Sequence, residues 1–300
     1  MSATCRLLAC QIAIPPIASA SERDRHLDET ARKIRARLGE EPTDLVVLPE
    51  LSCIDYSRAA FDNLDALAEP LDGPSFEALR ELAKDFGVTV VYGIPRRGDG
   101  DFHISQVAVG QDGEIIGFFD KLHIAQYGAS IEKEYFARGE HLFVLEHEGI
   151  RIAPIICYDI RIPELTRTLV LQHGVQLILH CGAYSRDESF YSWHDFVVAR
   201  AMENQVYVLS LNRAGREFGN SLFCGPWVDE TAPAVEFPPF EEAMQFLEVD
   251  PANIETIRKS YSFLTDRLSD YGALNEVGPV SRRPSDALIG TGSEIRKKVS

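Results

Sequence analysis

The chain has 300 residues, of which 45% are hydrophobic, and it carries a formal net charge of −16 at pH 7. This length can bury a sizeable core, either in one large α/β domain or in two smaller ones. The negative charge repels nucleic-acid phosphate and anionic lipid, so we expect neither a nucleic acid nor a membrane as a partner. Small anionic substrates stay possible, because a local Arg or Lys outweighs the distant field.

The cysteine pattern predicts a reducing compartment. Six cysteines are spread along the chain without a Cys-x-x-Cys pair, which is unlike a disulfide framework or a zinc site. Residues 1–14 lack the basic segment of a signal peptide and are typical of a first strand. No apolar stretch approaches the roughly 18 residues that span a bilayer. We therefore expect a cytoplasmic protein.

The first half of the chain alternates short apolar strands with helical patterns. An apolar run predicts a strand over 7–13, and a polar amphipathic helix follows over 21–38, with Ser21 as its N-cap. A buried strand over 44–48 leads into Pro49-Glu50. A helix over 75–86 precedes a strand over 88–94. Gln111-Asp112-Gly113 then predicts the turn of a hairpin formed by 105–109 and 114–120.

The second half repeats this alternation. We predict a hairpin of 143–146 and 151–156, a helix over 164–173, a strand over 175–180, a helix over 190–204, and strands over 206–212 and 245–249. Strands that alternate with helices, with hairpins inserted, indicate an α/β protein with mixed sheets covered by helices. We predict one domain over 1–270 and a C-terminal arm or tail over 271–300, which is rich in Gly, Ser, Pro and charge.

Three ionisable residues follow predicted strands. Glu50 follows the strand over 44–48, Lys121 follows the strand over 114–120, and Cys157 follows the strand over 151–156. The carboxyl ends of strands in an α/β sheet gather at one edge, where ligands bind. Pro163-Glu164 opens a helix just after Cys157, and a helix N-terminus favours both a thiolate and an oxyanion. We therefore expect these three side chains to share one site.

Their chemistry is complementary. Cys157 is suited to attack an electrophilic carbon, while Glu50 takes the thiol proton and passes it to a leaving nitrogen. Lys121 stabilises the oxyanion, with the backbone N–H of Tyr158 as a second donor. Glu50 then activates water to hydrolyse the thioester. Each residue alone has an ordinary structural explanation, since a buried cysteine is usually inert packing and the other two fit a cap or a hairpin end.

Other candidates fit less well. A Cys–His dyad is a rival use of the eight histidines, but none has a distinguishing local pattern. His180, Cys181 and His194 fit no recognisable metal spacing, so we expect packing or pocket lining from them and no metal ion. The loop of Cys181, Ala183 and Tyr184 ends a strand and should border the pocket, with His194 near it.

The sequence resembles the nitrilase superfamily of carbon–nitrogen hydrolases over about residues 5–271. The resemblance is carried by three segments in the family's order and by three shorter ones. These are LPEL at 48–51, DKLHI at 120–124, ICYDIRIPE at 156–164, ARAMENQ at 199–205, NRAG at 212–215 and GNS at 219–221. The resemblance implies a four-layer αββα sandwich, a Glu-Lys-Cys triad, no metal or other cofactor, and usually a homodimer or larger homo-oligomer.

The resemblance also implies a second glutamate that positions the substrate. EKEYFARG at 132–139 is similar to the corresponding segment of N-carbamoyl amide hydrolases, which selects Glu132 over Glu134. His123 either orients Lys121 or Glu132, or fills space. Arg161 either binds a substrate carboxylate or pairs with Glu164. Hydrolases of N-carbamoyl-D-amino acids have two arginines where this chain has Ile160-Arg161, which weakens that substrate class.

We therefore predict a hydrolase that cleaves the C–N bond of a small linear amide or N-carbamoyl compound. The catalytic residues are Glu50, Lys121, Cys157 and Glu132. The substrate-binding candidates are Tyr158, His123, Arg161, Cys181, Ala183, Tyr184 and His194. The alternatives are a nitrilase acting on a C≡N group and a scaffold or regulatory protein on an inactive enzyme fold, against which the intact triad argues.

Overall fold

Two six-stranded mixed sheets form the centre of the molecule. The computed structural model describes residues 4–275. The first sheet has the strand order β12-β1-β2-β3-β4-β5 and the second the order β11-β10-β9-β8-β7-β6. The strands are β1 (Cys5–Gln11), β2 (Leu45–Val47), β3 (Thr89–Arg97), β4 (Phe102–Val109), β5 (Ile115–Asp120), β6 (Leu145–His147), β7 (Ile150–Ile156), β8 (Leu177–Cys181), β9 (Tyr207–Leu211), β10 (Leu222–Cys224), β11 (Val235–Glu236) and β12 (Ala243–Val249).

Helices flank the two sheets. They are α1 (Ala20–Leu38), α2 (Arg58–Phe61), α3 (Leu64–Leu67), α4 (Pro74–Phe86), α5 (Pro163–His173), α6 (Phe190–Asn204) and α7 (Pro251–Ser260). The helices α1 and α4 contact each other on the first sheet, and α5 and α6 do so on the second. Ser19 caps α1 by accepting from the backbone N–H of Glu22, one turn into the helix. The predicted αββα sandwich is confirmed.

The strand sequences explain the two layers of core. In β1, Leu7 and Ala9 belong to the apolar cluster between the two sheets, whereas Leu8 and Cys10 belong to the cluster under the helices. Successive side chains of a strand point to opposite faces, so a strand covered on both sides must be apolar at every position. This is why the strands appear in the sequence as continuous apolar runs instead of alternating ones.

The topology brings the carboxyl ends of the central strands together. The strands β1, β2 and β3 are parallel, as are β7, β8 and β9. The backbone N–H of Ala214, just after β9, donates to the carbonyl of Ile12, just after β1, at 2.7 Å. This bond joins the two sheets at their carboxyl edges. The residues that follow β2, β5 and β7 therefore lie at one end of the sandwich.

The described chain separates into two units. The first ends at Ser262, and residues 263–275 belong to the second, which contains the short helix α8 (Phe263–Asp266). The predicted domain boundary at residue 270 stays a prediction. Most of the predicted tail, residues 276–300, lies outside the described residues. In residues 4–275, no helix combines the length and the apolar character that a membrane span requires.

Candidate active site

The loop after β2 places Glu50 at the carboxyl edge of the first sheet. Leu51 adopts a left-handed backbone conformation with φ +48°, which turns the chain sharply after Glu50. Gly93 of β3 lies against this turn, since a Cβ there would be only 2.5 Å from both the Pro49 carbonyl oxygen and the Leu51 nitrogen. The buried Arg213 guanidinium donates to the carbonyls of Leu51 and Ile54, at 3.1 and 2.6 Å. The position of Glu50 is thus set by close backbone packing.

Lys121 lies between two carboxylates at the end of β5. Its Nζ donates to Glu50 Oε1 at 2.8 Å and to Glu132 Oε1 at 2.6 Å, and all three side chains are fully buried. Burial alone would lower the pKa of the Lys121 ammonium, but the charges of Glu132 and Glu50 outweigh it and raise that pKa well above its ordinary value. Lys121 is therefore a fixed cation that is shielded from bulk solvent.

Glu132 is anchored at both carboxylate oxygens. It begins a short 3-10 turn, Glu132–Glu134. Besides Lys121, its Oε1 accepts from the Tyr56 hydroxyl at 2.7 Å, and its Oε2 accepts from the Ala125 backbone N–H at 2.8 Å. No sequence signal selects Tyr56, because it is one of ten tyrosines and lies in an irregular loop. The resemblance to the family was the only signal for Glu132.

Glu50 is suited to the role of a base. Burial raises the pKa of its carboxyl to about 7, opposed by the Lys121 ammonium and reinforced by the charge of Glu132. Its Oε2 is buried and has no hydrogen-bond partner among the described residues. An acceptor atom without a partner in a dry site costs free energy unless it receives a proton or a donor. This oxygen is the one available to take a proton from a nucleophile.

Cys157 occupies a strained turn. It follows β7 and begins a second 3-10 turn, Cys157–Arg161, with φ +45°, which is unusual for a residue other than glycine. Its carbonyl oxygen accepts from His180 Nε2 and from the Tyr184 hydroxyl, both at 2.9 Å. The residue is 9% exposed, so it reaches the surface of a cleft. Cys157 therefore lines the cleft although it is mostly buried.

The helix N-terminus that follows Cys157 does not keep its thiol ionised. Burial raises the pKa of the thiol well above its ordinary value, Glu50 adds to this effect, and Lys121 opposes it without reversing it. The desolvation penalty for a buried thiolate therefore exceeds the stabilisation by the Lys121 cation and the turn. The thiol stays neutral at pH 7 and needs a base to react.

The cleft above Cys157 contains about 330 Å³ of space free of protein atoms, some of it open to solvent. Its walls are aromatic rings, small side chains and two carboxylates. The lining residues are Tyr56, Ala125, Tyr127, Ala129, Ser130, Glu132, Cys157, Ala183, Tyr184, Ser185, Asp187 and Ser189. Ala183 and Tyr184 were predicted here from the sequence. The loop residues 125–130 were not, because no strand end or motif marks them.

His123 connects the lysine loop to the cysteine turn. Its backbone N–H and its Nδ1 both bond to Asp159 Oδ1, at 3.0 and 2.7 Å, and Asp159 Oδ2 accepts from the Ile156 N–H at 3.0 Å. His123 therefore contacts neither Lys121 nor Glu132 through these bonds. The fully buried Asp159, which the sequence reasoning did not select, holds the segments that carry Lys121 and Cys157 in a fixed relation.

The remaining candidates lie behind the cleft wall or away from it. Arg161 donates to Ser192 Oγ at 3.2 Å and to the Ser189 carbonyl at 3.0 Å, so it holds the start of α6 and forms no ion pair with Glu164. Cys181 is buried in β8, and His194 Nε2 donates to the Asn220 carbonyl at 2.7 Å beside a neighbouring cavity. None of these three is among the residues that line the cleft.

Tyr158 packs beside the cleft, with its ring centroid 5.2 Å from that of Tyr127.

In residues 4–275, one group of side chains comes close enough to hold a metal ion, namely Cys5, Asp44 and His147. It lies at the amino ends of β1 and β2, the edge opposite Glu50, and both oxygens of Asp44 already accept from Arg6. The Glu-Lys-Cys site itself contains a fixed ammonium where a metal would be repelled.

Known proteins share this arrangement of elements. The family described as carbon-nitrogen hydrolase matches residues 7–259 of the chain. The 2-oxoglutaramate amidase of Bacillus subtilis is 31% identical over 234 residues, which cover 76% of this chain and 86% of the relative. Omega-amidase NIT2 of Xenopus tropicalis is 27% identical over 283 residues, 90% of this chain and 98% of the relative. A carbon-nitrogen hydrolase from Helicobacter pylori G27 has the same fold, with a TM-score of 0.78 and 23% identity over 90% of this chain and 97% of that one.

Proposed function

Because the chain belongs to the carbon-nitrogen hydrolase family, we propose that it hydrolyses the C–N bond of a small linear amide through a thioester on Cys157. The observation that carries the proposal is the buried Lys121 ammonium bonded to Glu50 and Glu132, with the neutral Cys157 thiol at the floor of the adjoining cleft. The amidase relatives favour an amide over a nitrile. An N-carbamoyl compound is the second member of the proposed substrate class.

The first half of the reaction forms the thioester. Glu50, as a carboxylate, takes the proton of the Cys157 thiol while the sulfur attacks the amide carbon and an S–C bond forms. The carbonyl oxygen becomes an oxyanion beside the Lys121 ammonium and the Tyr158 N–H. The C–N bond then breaks, Glu50 returns the proton to the leaving nitrogen, and ammonia or an amine departs.

The second half releases the acid. Water occupies the place of the departed amine, and Glu50 takes one of its protons as the oxygen attacks the thioester carbon. The C–S bond breaks, the acid leaves, and Glu50 returns its proton to the Cys157 sulfur. Glu132 takes no proton in this scheme. Its bonds to Lys121, Tyr56 and Ala125 keep the ammonium fixed and one cleft wall in place.

The test is a screen for ammonia release over linear amides, ω-amides and N-carbamoyl amines, with each amide paired to the matching nitrile. We expect one class of amide to be hydrolysed by the wild type and not by Cys157→Ala, while far-UV circular dichroism shows the fold retained. Cys53→Ala is the matched control, since it removes a fully buried thiol that lies three residues from Glu50. Acid production from nitriles but not from their amides would replace the proposal with nitrilase action.

We also propose that the enzyme works in the cytoplasm as a homodimer. The six cysteines are all free thiols, which supports a reducing compartment. The dimer is an expectation from the family resemblance. Sedimentation equilibrium at micromolar concentration tests it, and a monomer mass of 33.5 kDa at all concentrations would contradict it.

A further inference from the structure

The peptide that follows the nucleophile is held from one side by two side chains. The Cys157 carbonyl oxygen accepts from His180 Nε2 and from Tyr184 Oη, both at 2.9 Å. His180 comes from the neighbouring parallel strand β8, and Tyr184 from the loop that follows it. Both side chains are buried, and the Tyr184 ring stacks on Trp193 with centroids 4.6 Å apart and planes 7° from parallel. Neither bond is needed to continue a strand or a helix.

His180 also belongs to a chain of hydrogen bonds that begins at Trp193, and Trp193 determines which nitrogen of His180 carries the hydrogen. Trp193 Nε1, which can only donate, bonds to Ser210 Oγ at 2.9 Å. The Ser210 hydroxyl hydrogen is then directed to His180 Nδ1, 2.7 Å away, so the His180 hydrogen lies on Nε2 and points at the Cys157 carbonyl. Burial lowers the pKa of His180 to about 3, although its bond to Cys157 opposes this, so the ring is neutral at pH 7.

The two bonds that hold the Cys157 carbonyl also determine the direction of the Tyr158 N–H, which belongs to the same peptide unit. In a trans peptide the C=O and the following N–H point in opposite directions, and the described chain has no cis peptide bonds. The Tyr158 N–H must therefore point away from His180 and Tyr184. Tyr158 is the second residue of a 3-10 turn, so its N–H has no partner within that turn. Two hydrogen bonds to the carbonyl also polarise the peptide and strengthen its N–H as a donor.

We propose that His180 and Tyr184 are positioning residues that orient the Cys157–Tyr158 peptide so that the Tyr158 N–H donates to the oxyanion. This inference rests on the proposed thioester mechanism and adds two residues to it. Neither residue touches the reacting atoms through these bonds. Each acts through a peptide unit whose strained φ of +45° at Cys157 needs support from its surroundings.

The test compares variants that keep or lose each donor. Tyr184→Phe removes one hydroxyl and keeps the ring that stacks on Trp193. His180→Gln keeps an amide N–H where Nε2 lies, whereas His180→Asn ends near the position of Nδ1. We expect Tyr184→Phe and His180→Asn to lower kcat by about tenfold to a hundredfold, less than the loss of an oxyanion donor outright, with KM changed by less than about twofold. His180→Gln should recover most of the rate.

A second readout separates orientation of the peptide from damage to the thiol. Iodoacetamide alkylates Cys157 by attack on a methylene carbon, so no oxyanion forms. The alkylation rate in Tyr184→Phe and His180→Asn should stay within about threefold of the wild type while kcat falls. Tyr92→Phe is the control. Tyr92 lies in β3, and its buried hydroxyl has no hydrogen-bond partner within residues 4–275. The kcat of this variant should be unchanged.

The outcomes distinguish this inference from the proposed function. Wild-type kcat in both Tyr184→Phe and His180→Asn would overturn the positioning role and leave the thioester mechanism standing. Equal losses of kcat and of alkylation rate would also overturn it, because the thiol and not the Tyr158 N–H would then be disturbed. A wild type that hydrolyses no amide, or an active Cys157→Ala, would overturn the proposed function and this inference with it.

Discussion

Replacing Lys121 with Met should lower the free energy of unfolding, because the Lys121 ammonium compensates two buried carboxylates. Met has a similar length but no charge, so Glu50 and Glu132 would remain fully buried without the ammonium that lies 2.8 and 2.6 Å away. Removing one partner of a buried ion pair typically costs about 3–5 kcal/mol of unfolding free energy, because an uncompensated charge stays in a poorly polarisable interior. We expect a loss of that size at pH 7, together with loss of hydrolysis.

The loss of unfolding free energy in Lys121→Met should grow as the pH rises. Burial already raises the pKa of Glu50 to about 7 while Lys121 opposes the rise, so the variant's Glu50 pKa must be higher still. A folded-state pKa raised above the unfolded value contributes stability that is present at low pH and lost as pH rises. Between pH 7 and 9 the folded variant keeps a proton that the folded wild type has released. The deficit should therefore increase by up to about 1.4 kcal/mol per pH unit.

Urea unfolding at pH 7, 8 and 9, in the presence of a reductant, measures this deficit. Lys33→Met is the matched control, because Lys33 forms an exposed ion pair with Glu242 at 2.7 Å. Its loss should stay below about 1 kcal/mol and hardly change with pH. A Lys121→Met deficit that is equally small, or one that does not depend on pH, would refute the idea that this ammonium compensates buried carboxylates.

Two further predictions concern Glu50. Its pKa of about 7 predicts that kcat/KM falls about tenfold per pH unit below pH 7, because the base must be ionised; a rate independent of pH down to about 5.5 would contradict the assignment. Gly93→Ala would place a methyl carbon 2.5 Å from the Pro49 carbonyl oxygen and the Leu51 nitrogen, so the Glu50 loop must move and kcat should fall about a hundredfold. Gly39→Ala, whose added carbon would meet nothing closer than 3.7 Å, should leave kcat unchanged, and steady-state assays of both variants test this.

The layers of the fold, and the placement of Glu50, Lys121 and Cys157 at strand ends, could be predicted from local sequence. Strands buried on both faces appear as unbroken apolar runs, and Glu50 and Cys157 each follow such a run. Lys121 follows the apolar but partly exposed edge strand β5. The carboxyl edge of a sheet is defined by topology, which the alternation of strands and helices indicates. These features can therefore be predicted without knowing which side chains contact each other in the folded protein.

The contacts that hold Lys121, Glu132 and Cys157 in place could not be predicted from local sequence. Tyr56 and Glu132 are 76 positions apart, and His123 and Asp159 are 36 apart. No periodicity records such pairs, because they depend on where irregular loops cross. The pKa of the Cys157 thiol could not be predicted for a related reason. The sequence shows a helix start nearby, but the depth of burial that dominates the thiol pKa depends on the whole fold.

The central claim is that an acyl group is transferred to Cys157. Acid quenching during steady-state turnover of the amide found in the screen, followed by peptide mass spectrometry, tests it most directly. The mechanism predicts a thioester adduct of the substrate's acyl mass on the peptide that contains Cys157, and none on the peptides that contain Cys53 or Cys181. Turnover that proceeds in Cys157→Ala, or an adduct on another residue, would contradict the mechanism.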